Sequence, residues 1–242
     1  MKNRISVAVA PLRREPSDRS EMVSQGLFGE ELEVLEKQEK WSMIRLTNDG
    51  YEGWIDNKQL ELHTNADELT RVNVPLIQCA PTTHDFVWLP AGAMPPKKWM
   101  QTSTSVNWTG SQEDIEKCAL LFLNAPYLWG GRTVMGIDCS GFTQIVMRLN
   151  GISIPRDAYQ QAEFGSTVTF IEESQTGDLA FFDNAEGRII HVGIILRGSG
   201  NACRIIHASG KVRVDVLDHE GIFHSEKSVY THKLRIIKRI VQ

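Results

Sequence analysis

The sequence predicts an α+β protein, with a small all-β unit leading into a half built of helices followed by an antiparallel sheet. Three observations carry this. Across residues 1–62, short alternating segments are separated by polar turns: 31–35, 41–46, the turn Thr47-Asn48-Asp49-Gly50, and 51–55. From Ser111 the pattern changes to apolar residues at helical spacing, first Ile115, Cys118, Ala119 and Phe122, then Phe142, Ile145, Val146 and Leu149. Strand-like runs follow at 178–182, 189–196, 202–209, 212–216 and 234–241.

Composition bounds the function. The chain has 242 residues, 41% of them hydrophobic and 23% charged, enough for one large or two smaller cores. A net charge of -4 gives no electrostatic case for nucleic acid or an anionic membrane as partner. The start imitates a leader, but its apolar run ends at Pro11, and Ile5, Val7 and Val9 alternate as in a first strand. Cys79, Cys118, Cys139 and Cys203 form no CxxC pair, which suggests free thiols in a reducing compartment. The expected location is therefore cytoplasmic, on the condition that Met1 is the native start.

Residues 65–105 carry strand-like pieces broken by Pro75, Pro81, Pro90, Pro95 and Pro96. They read as a partial second β unit or a structured linker. The expected organisation is thus 1–64, 65–105 and 106–242. In the third part Ser111 and Asp114 resemble a capping box, and Cys118 belongs to the core face of the helix they start. After Pro155 a short helix is expected from Asp157.

The chemistry centres on Asp138-Cys139-Ser140-Gly141-Phe142. Asp138 is a favoured N-cap residue, and Asn150-Gly151 ends the periodic run, so Cys139 falls in the first turn of a helix. Unpaired N–H groups and the helix dipole there favour an anion, and they are expected to lower the thiol pKa. Two histidines supply partners. His191 lies in a strand-like run and His207 in the next, across the turn Arg197-Gly198-Ser199-Gly200-Asn201. If the hairpin is symmetric about Ser199, Leu196 faces Ala202 and His191 faces His207 on one side of the sheet. A one-residue slip would separate them. A thiolate nucleophile, an imidazole base and a polar group orienting that imidazole are the parts of nucleophilic acyl transfer, and Cys139, His191 and His207 fill them in that order. The Cys139 N–H can donate to the oxyanion, Tyr127 helps line the pocket, and Gly193 keeps the strand face beside the base clear. Elsewhere, Cys79 and His84 have no second close pair beside them, the Gly and spacing of His219 and His224 do not make a zinc-protease helix, and no nucleotide or dinucleotide fingerprint appears. His63, His84 and His232 read as surface or structural.

Two resemblances sharpen this reading. Tyr51-Glu52-Gly53-Trp54-Ile55-Asp56 resembles the closing strands of bacterial SH3-like domains, which often bind cell-wall or peptide ligands. The Asp138 to Phe142 motif, His191-Val192-Gly193-Ile194, Ile206-His207-Ala208-Ser209 and Tyr127-Leu128-Trp129-Gly130-Gly131 together resemble the NlpC family of papain-like cysteine peptidases. The second resemblance implies a minimal papain-like domain with a Cys-His-His triad and no metal. It also implies cleavage of murein stem peptides between γ-D-glutamate and the diamino acid. An SH3-like domain ahead of such a peptidase is similar to the γ-D-glutamyl-diamino acid endopeptidases that recycle wall peptides and require a free N-terminal L-alanine. By that resemblance Asp138, Glu21 and Tyr51 receive the substrate ammonium, while Ser140 and Trp129 line the cleft. An inactive wall-peptide binding protein and an acyltransferase on the same fold remain as alternatives, as does a metal site built from Cys139, His191 and His207.

Overall fold

The computed structural model describes residues 2–63, 67–100, 106–198 and 203–240. The chain forms two compact units, one of Met1–Asn107 with Trp129–Val134 and the other of Trp108–Leu128 with Met135–Gln242.

The first unit is a seven-stranded antiparallel sheet in the order Met22–Leu27, Val9–Arg13, Glu52–Asp56, Trp41–Leu46, Glu31–Lys37, Lys2–Ile5, Leu60–His63. This is the SH3-like region. Alternation sends Ala10 and Leu12, then Ile44 and Leu46, to one side, where they meet Ile5, Leu32 and Ile55 in a fully buried core. The strands expected at 31–35, 41–46 and 51–55 begin and end within two residues of those positions, whereas the run of Ile5, Val7 and Val9, expected as one strand, is divided between Lys2–Ile5 and Val9–Arg13. Between residues 67 and 100, Leu76–Cys79 and Val87–Pro90 pair as a ribbon over a second small core of Phe28, Val72, Cys79, Leu89 and Ala93. The expected boundaries at 64–65 and 105 lie outside the described residues.

Trp129–Val134, placed by sequence with the C-terminal half, packs within the first unit. Arg132 is buried there, donating to Glu30 Oε2 at 3.1 Å and Oε1 at 3.2 Å and to the Gln25 carbonyl at 2.7 Å. Gly130, with φ +76°, lies so close to the Met22 backbone that a Cβ would come within 2.5 Å of its carbonyl oxygen.

In the second unit, helix α1 (Gln112–Leu120) starts at Ser111, whose Oγ accepts from the Asp114 N–H. The reverse half of the expected capping box is not formed: the Ser111 N–H donates to Thr109 Oγ1, and Asp114 instead accepts from the Thr109 N–H. Phe122 beyond α1 meets Phe142 of α2 (Cys139–Leu149) edge to face. Helix α3 (Ala158–Gln161) follows Pro155. The sheet runs Ser166–Val168, Val229–Arg239, Leu179–Asp183, Ile189–Arg197, Cys203–Ser209, Lys211–Leu217, Gly221–His224. Gly221–His224 pairs back onto Val229–Arg239, closing six of these strands into a barrel. Ala180, Phe182, Ile195, Ile205, Leu217, Ile222 and Ile237 form the core of one face. Phe182 is the cross-strand partner of His191, so the histidine lies at the end of that same face. Helix α2 packs on the strands of His191 and His207. Among the described residues no helix is long and apolar enough to cross a membrane.

Candidate active site

The first turn of α2 is fixed on all sides. Asp138 caps it, its Oδ1 accepting from the Gly141 N–H at 2.7 Å. The buried Arg156 donates to Asp138 Oδ2 at 2.7 Å, to Oδ1 at 3.0 Å and to Ser140 Oγ at 2.8 Å. Gln161 of α3 donates to the Ser140 carbonyl and accepts from Thr143 Oγ1. Neither Arg156 nor Gln161 was legible in the sequence, because their partners lie on another element and only the fold brings them together.

Cys139 is buried, and the backbone N–H groups of Ser140 and Val192 lie near enough to its sulfur to favour the thiolate. Val192 directly follows His191, so the thiol sits against the strand that carries the imidazole. The expected lowering of the thiol pKa is reversed: burial first, then the negative charge of Asp138, push it up to about 12. The N–H donors and Arg156 pull the other way, as the helix-start argument requires, but they are outweighed.

The histidine pair is arranged differently from the symmetric hairpin. Gly193, not His191, stands opposite His207, with Arg197 paired to Cys203, and the turn residues 199–202 lie outside the described part. The shift is two residues, which preserves the face. His191 and His207 are therefore diagonal neighbours, and His191 Nε2 lies 2.8 Å from His207 Nδ1. A Cβ at Gly193 would stand 2.8 Å from His207 Cβ and 2.7 Å from Ile205 Cδ1, so the missing side chain is what admits this approach. On its other side His207 Nε2 meets Asp215 Oδ2 at 3.0 Å, and Arg213 holds that carboxylate with two bonds, of 2.7 and 2.8 Å. Burial drives both histidines toward the neutral form, and the carboxylate only partly offsets this at His207. Asp215 stays ionised, its pKa lowered to about 2 by His207 and Arg213 against the opposing effect of burial.

His232, expected at the surface or in a structural role, stacks on His191 with ring centroids 4.2 Å apart and planes 22° from parallel. Burial lowers its pKa to about 4, so near neutral pH it meets the base as an uncharged ring. Phe182 packs against both rings. Tyr127 is partly exposed, and its phenol is raised to about 12 by burial and by the nearby Cys139 and Asp138.

The remaining expected residues belong to the first unit. Trp129 is exposed, and its Nε1 donates to Glu21 Oε1 at 2.8 Å. Glu21 Oε2 is also paired with Arg14. Tyr51 packs against the core of the first unit, with its hydroxyl 3.4 Å from the Val23 carbonyl it donates to. Among the described residues no group of three or more His, Cys, Asp or Glu side chains is arranged to hold a metal ion.

Residues 124–231 match the model of the NlpC/P60 family, and residues 12–60 match that of the bacterial dipeptidyl-peptidase Sh3 domain. A γ-D-glutamyl-L-lysine dipeptidyl-peptidase of Bacillus subtilis is 32% identical over 211 residues, 72% of this chain and 69% of the relative. The chain belongs to the NlpC/P60 family. It is a cysteine peptidase of that family, as Cys139 at the start of α2 and the histidines on the adjoining sheet would lead one to expect. Dipeptidyl-peptidase 6 of Lysinibacillus sphaericus is 27% identical over 265 residues, covering 90% of this chain and 93% of that protein. A solved NlpC/P60 protein of Bacillus cereus has the same fold, with a TM-score of 0.81 over 100% of both chains at 22% identity.

Proposed function

We propose that this NlpC/P60 peptidase hydrolyses the bond between γ-D-glutamate and the diamino acid in murein stem peptides with a free N-terminal L-alanine, releasing L-Ala-γ-D-Glu. The observation that supports a peptidase reaction is the joining of His191 to His207 at 2.8 Å on the strands against which α2, with Cys139 at its start, packs. The substrate reading is supported by relatives named γ-D-glutamyl-L-lysine dipeptidyl-peptidase and by an N-terminal region matching the Sh3 domain of such enzymes.

The chemistry follows from the donors. With thiol and imidazole both favouring neutrality, the resting pair is uncharged, and proton transfer accompanies attack. His191 takes the thiol proton as sulfur bonds to the γ-carbonyl carbon, and the backbone N–H of Cys139 serves the oxyanion. Collapse breaks the C–N bond, and the departing amine takes the proton from His191. Water then attacks the thioester, giving its proton to His191, and the dipeptide leaves with the thiol restored. Tyr127 and Ser140 line the cleft, and Asp138, Glu21 and Tyr51 serve the substrate ammonium, since an amine taken out of water requires anionic or hydroxyl acceptors. A free-amine requirement fits a role in recycling released peptides.

The test is mass spectrometry of L-Ala-γ-D-Glu-L-Lys and its N-acetyl form after incubation with wild type and Cys139→Ala. Release of L-Ala-γ-D-Glu from the free-amine peptide alone, abolished by the substitution, is expected. Equal cleavage of both peptides would overturn the ammonium roles. Binding without cleavage would favour the inactive binding protein, and transfer to an added amine would favour the acyltransferase.

A further inference from the structure

We propose that Asp215 is a positioning residue of this site, setting through His207 which nitrogen of His191 is free to accept the thiol proton. The inference rests on the reading of Cys139, His191 and His207 given above.

The strand Lys211–Leu217 runs beside that of His207, with His207 opposite Arg213 and Ile205 opposite Asp215. Asp215 is thus a diagonal neighbour of His207 on the face that carries both histidines. Its carboxylate is buried and ionised, so it can only accept hydrogen bonds. The His207 Nε2 that faces it at 3.0 Å must carry the proton. In a neutral imidazole the other nitrogen then bears a lone pair, and His207 Nδ1 is the atom 2.8 Å from His191 Nε2. That contact requires a donor, so His191 holds its proton on Nε2. Its Nδ1 is left as the basic nitrogen. One carboxylate therefore fixes two tautomers in series.

Without the carboxylate, His207 can place its proton on Nδ1 and donate it to His191 Nε2. His191 would then carry its own proton on Nδ1 and have no lone pair for the thiol. When His191 does take that proton, the new positive charge lies one imidazole away from Asp215, and the relay stabilises it without Asp215 touching substrate. Arg213 anchors the carboxylate: its Nε and Nη2 bonds hold the plane of Asp215 toward His207, and its Nη2 also reaches His224 Nδ1 at 3.4 Å. A carboxylate that sets the tautomer of the base directly is worth about 10⁴-fold in kcat in serine proteases, and Asp215, which acts one imidazole further back, is expected to be worth less than that.

The experiment joins kinetics on L-Ala-γ-D-Glu-L-Lys with ¹⁵N NMR of histidine-labelled protein. In wild type and in the inactive Cys139→Ala, the ¹⁵N shifts of both His207 and His191 should report Nε2–H tautomers. In Asp215→Ala, kcat should fall at least 100-fold with KM within about twofold, and the His207 signal should move toward Nδ1–H. A folded Asp215→Ala enzyme with kcat within threefold of wild type would overturn the proposal. So would a wild-type His207 carrying its proton on Nδ1, a result that needs no variant to fold. If instead Cys139→Ala or His191→Ala stays active, the underlying assignment of nucleophile and base fails, whatever Asp215 does.

Discussion

Replacing Arg156 with methionine would expose the cost of an anion placed beside the nucleophile. Asp138 and Arg156 have side chains 8% and 1% exposed, and the guanidinium supplies two bonds to the carboxylate and one to Ser140. Arg156→Met leaves a buried carboxylate without its countercharge, which should cost about 3 to 5 kcal/mol. With a urea m-value of about 2 kcal/mol/M, the unfolding midpoint of the second unit should fall by roughly 1.5 to 2.5 M. Replacing both partners, as Asp138→Leu with Arg156→Met, removes the stranded charge as well as the pair. The double variant should regain most of that loss, short of about 1 kcal/mol for the missing N-cap. The assay is a double-mutant cycle in urea, followed by circular dichroism. A loss below about 1 kcal/mol for Arg156→Met, or simple additivity of the two substitutions, would refute this reasoning.

Two further outcomes follow from the same geometry. Because burial and Asp138 raise the Cys139 thiol to about 12, neutral thiol should persist through pH 9, so the ultraviolet thiolate absorbance of wild type minus Cys139→Ser should show no ionisation step below that pH. A step near pH 7 would show that the helix start prevails over burial after all. Gly193→Ala would force its new Cβ on His207 Cβ and Ile205, and displacing the orienting imidazole by a fraction of an ångström should lower kcat about 10-fold or more while the protein remains folded. Unaltered kcat in that variant would show that the strand yields without moving the histidine.

What could be read from the chain was what local spacing encodes. Asp138 as cap, α2 over Cys139–Leu149 and the break at Asn150-Gly151 all depend on residues within a few positions of one another. The histidine pair needed one tertiary assumption, a symmetric turn; the face was right and the register was off by two. Asp215 was missed for an instructive reason. In Lys211-Val212-Arg213-Val214-Asp215-Val216-Leu217 charged and apolar residues alternate, which ordinarily means that the charged side meets water. Here Asp215 is buried and Val216 is exposed, because the strand is part of a closed barrel. The second strand of that closure, Gly221–His224, sits in a stretch whose Asp218, His219, Glu220 and His224 obscured it. His232 lies between Thr231 and Lys233, and its polar setting conceals a ring stacked on the base.

The two-residue offset across the His191 and His207 strands has a consequence for how such a chain can diverge. Side chains on a strand repeat their direction every second residue, so lengthening the connection after Arg197 in steps that shift pairing by two keeps both imidazoles on one side. A single inserted residue that propagated into the pairing would instead turn His207 to the side opposite His191. Length variation at this hairpin should therefore be constrained by parity rather than by size, with odd changes tolerated only where a bulge in the turn absorbs them.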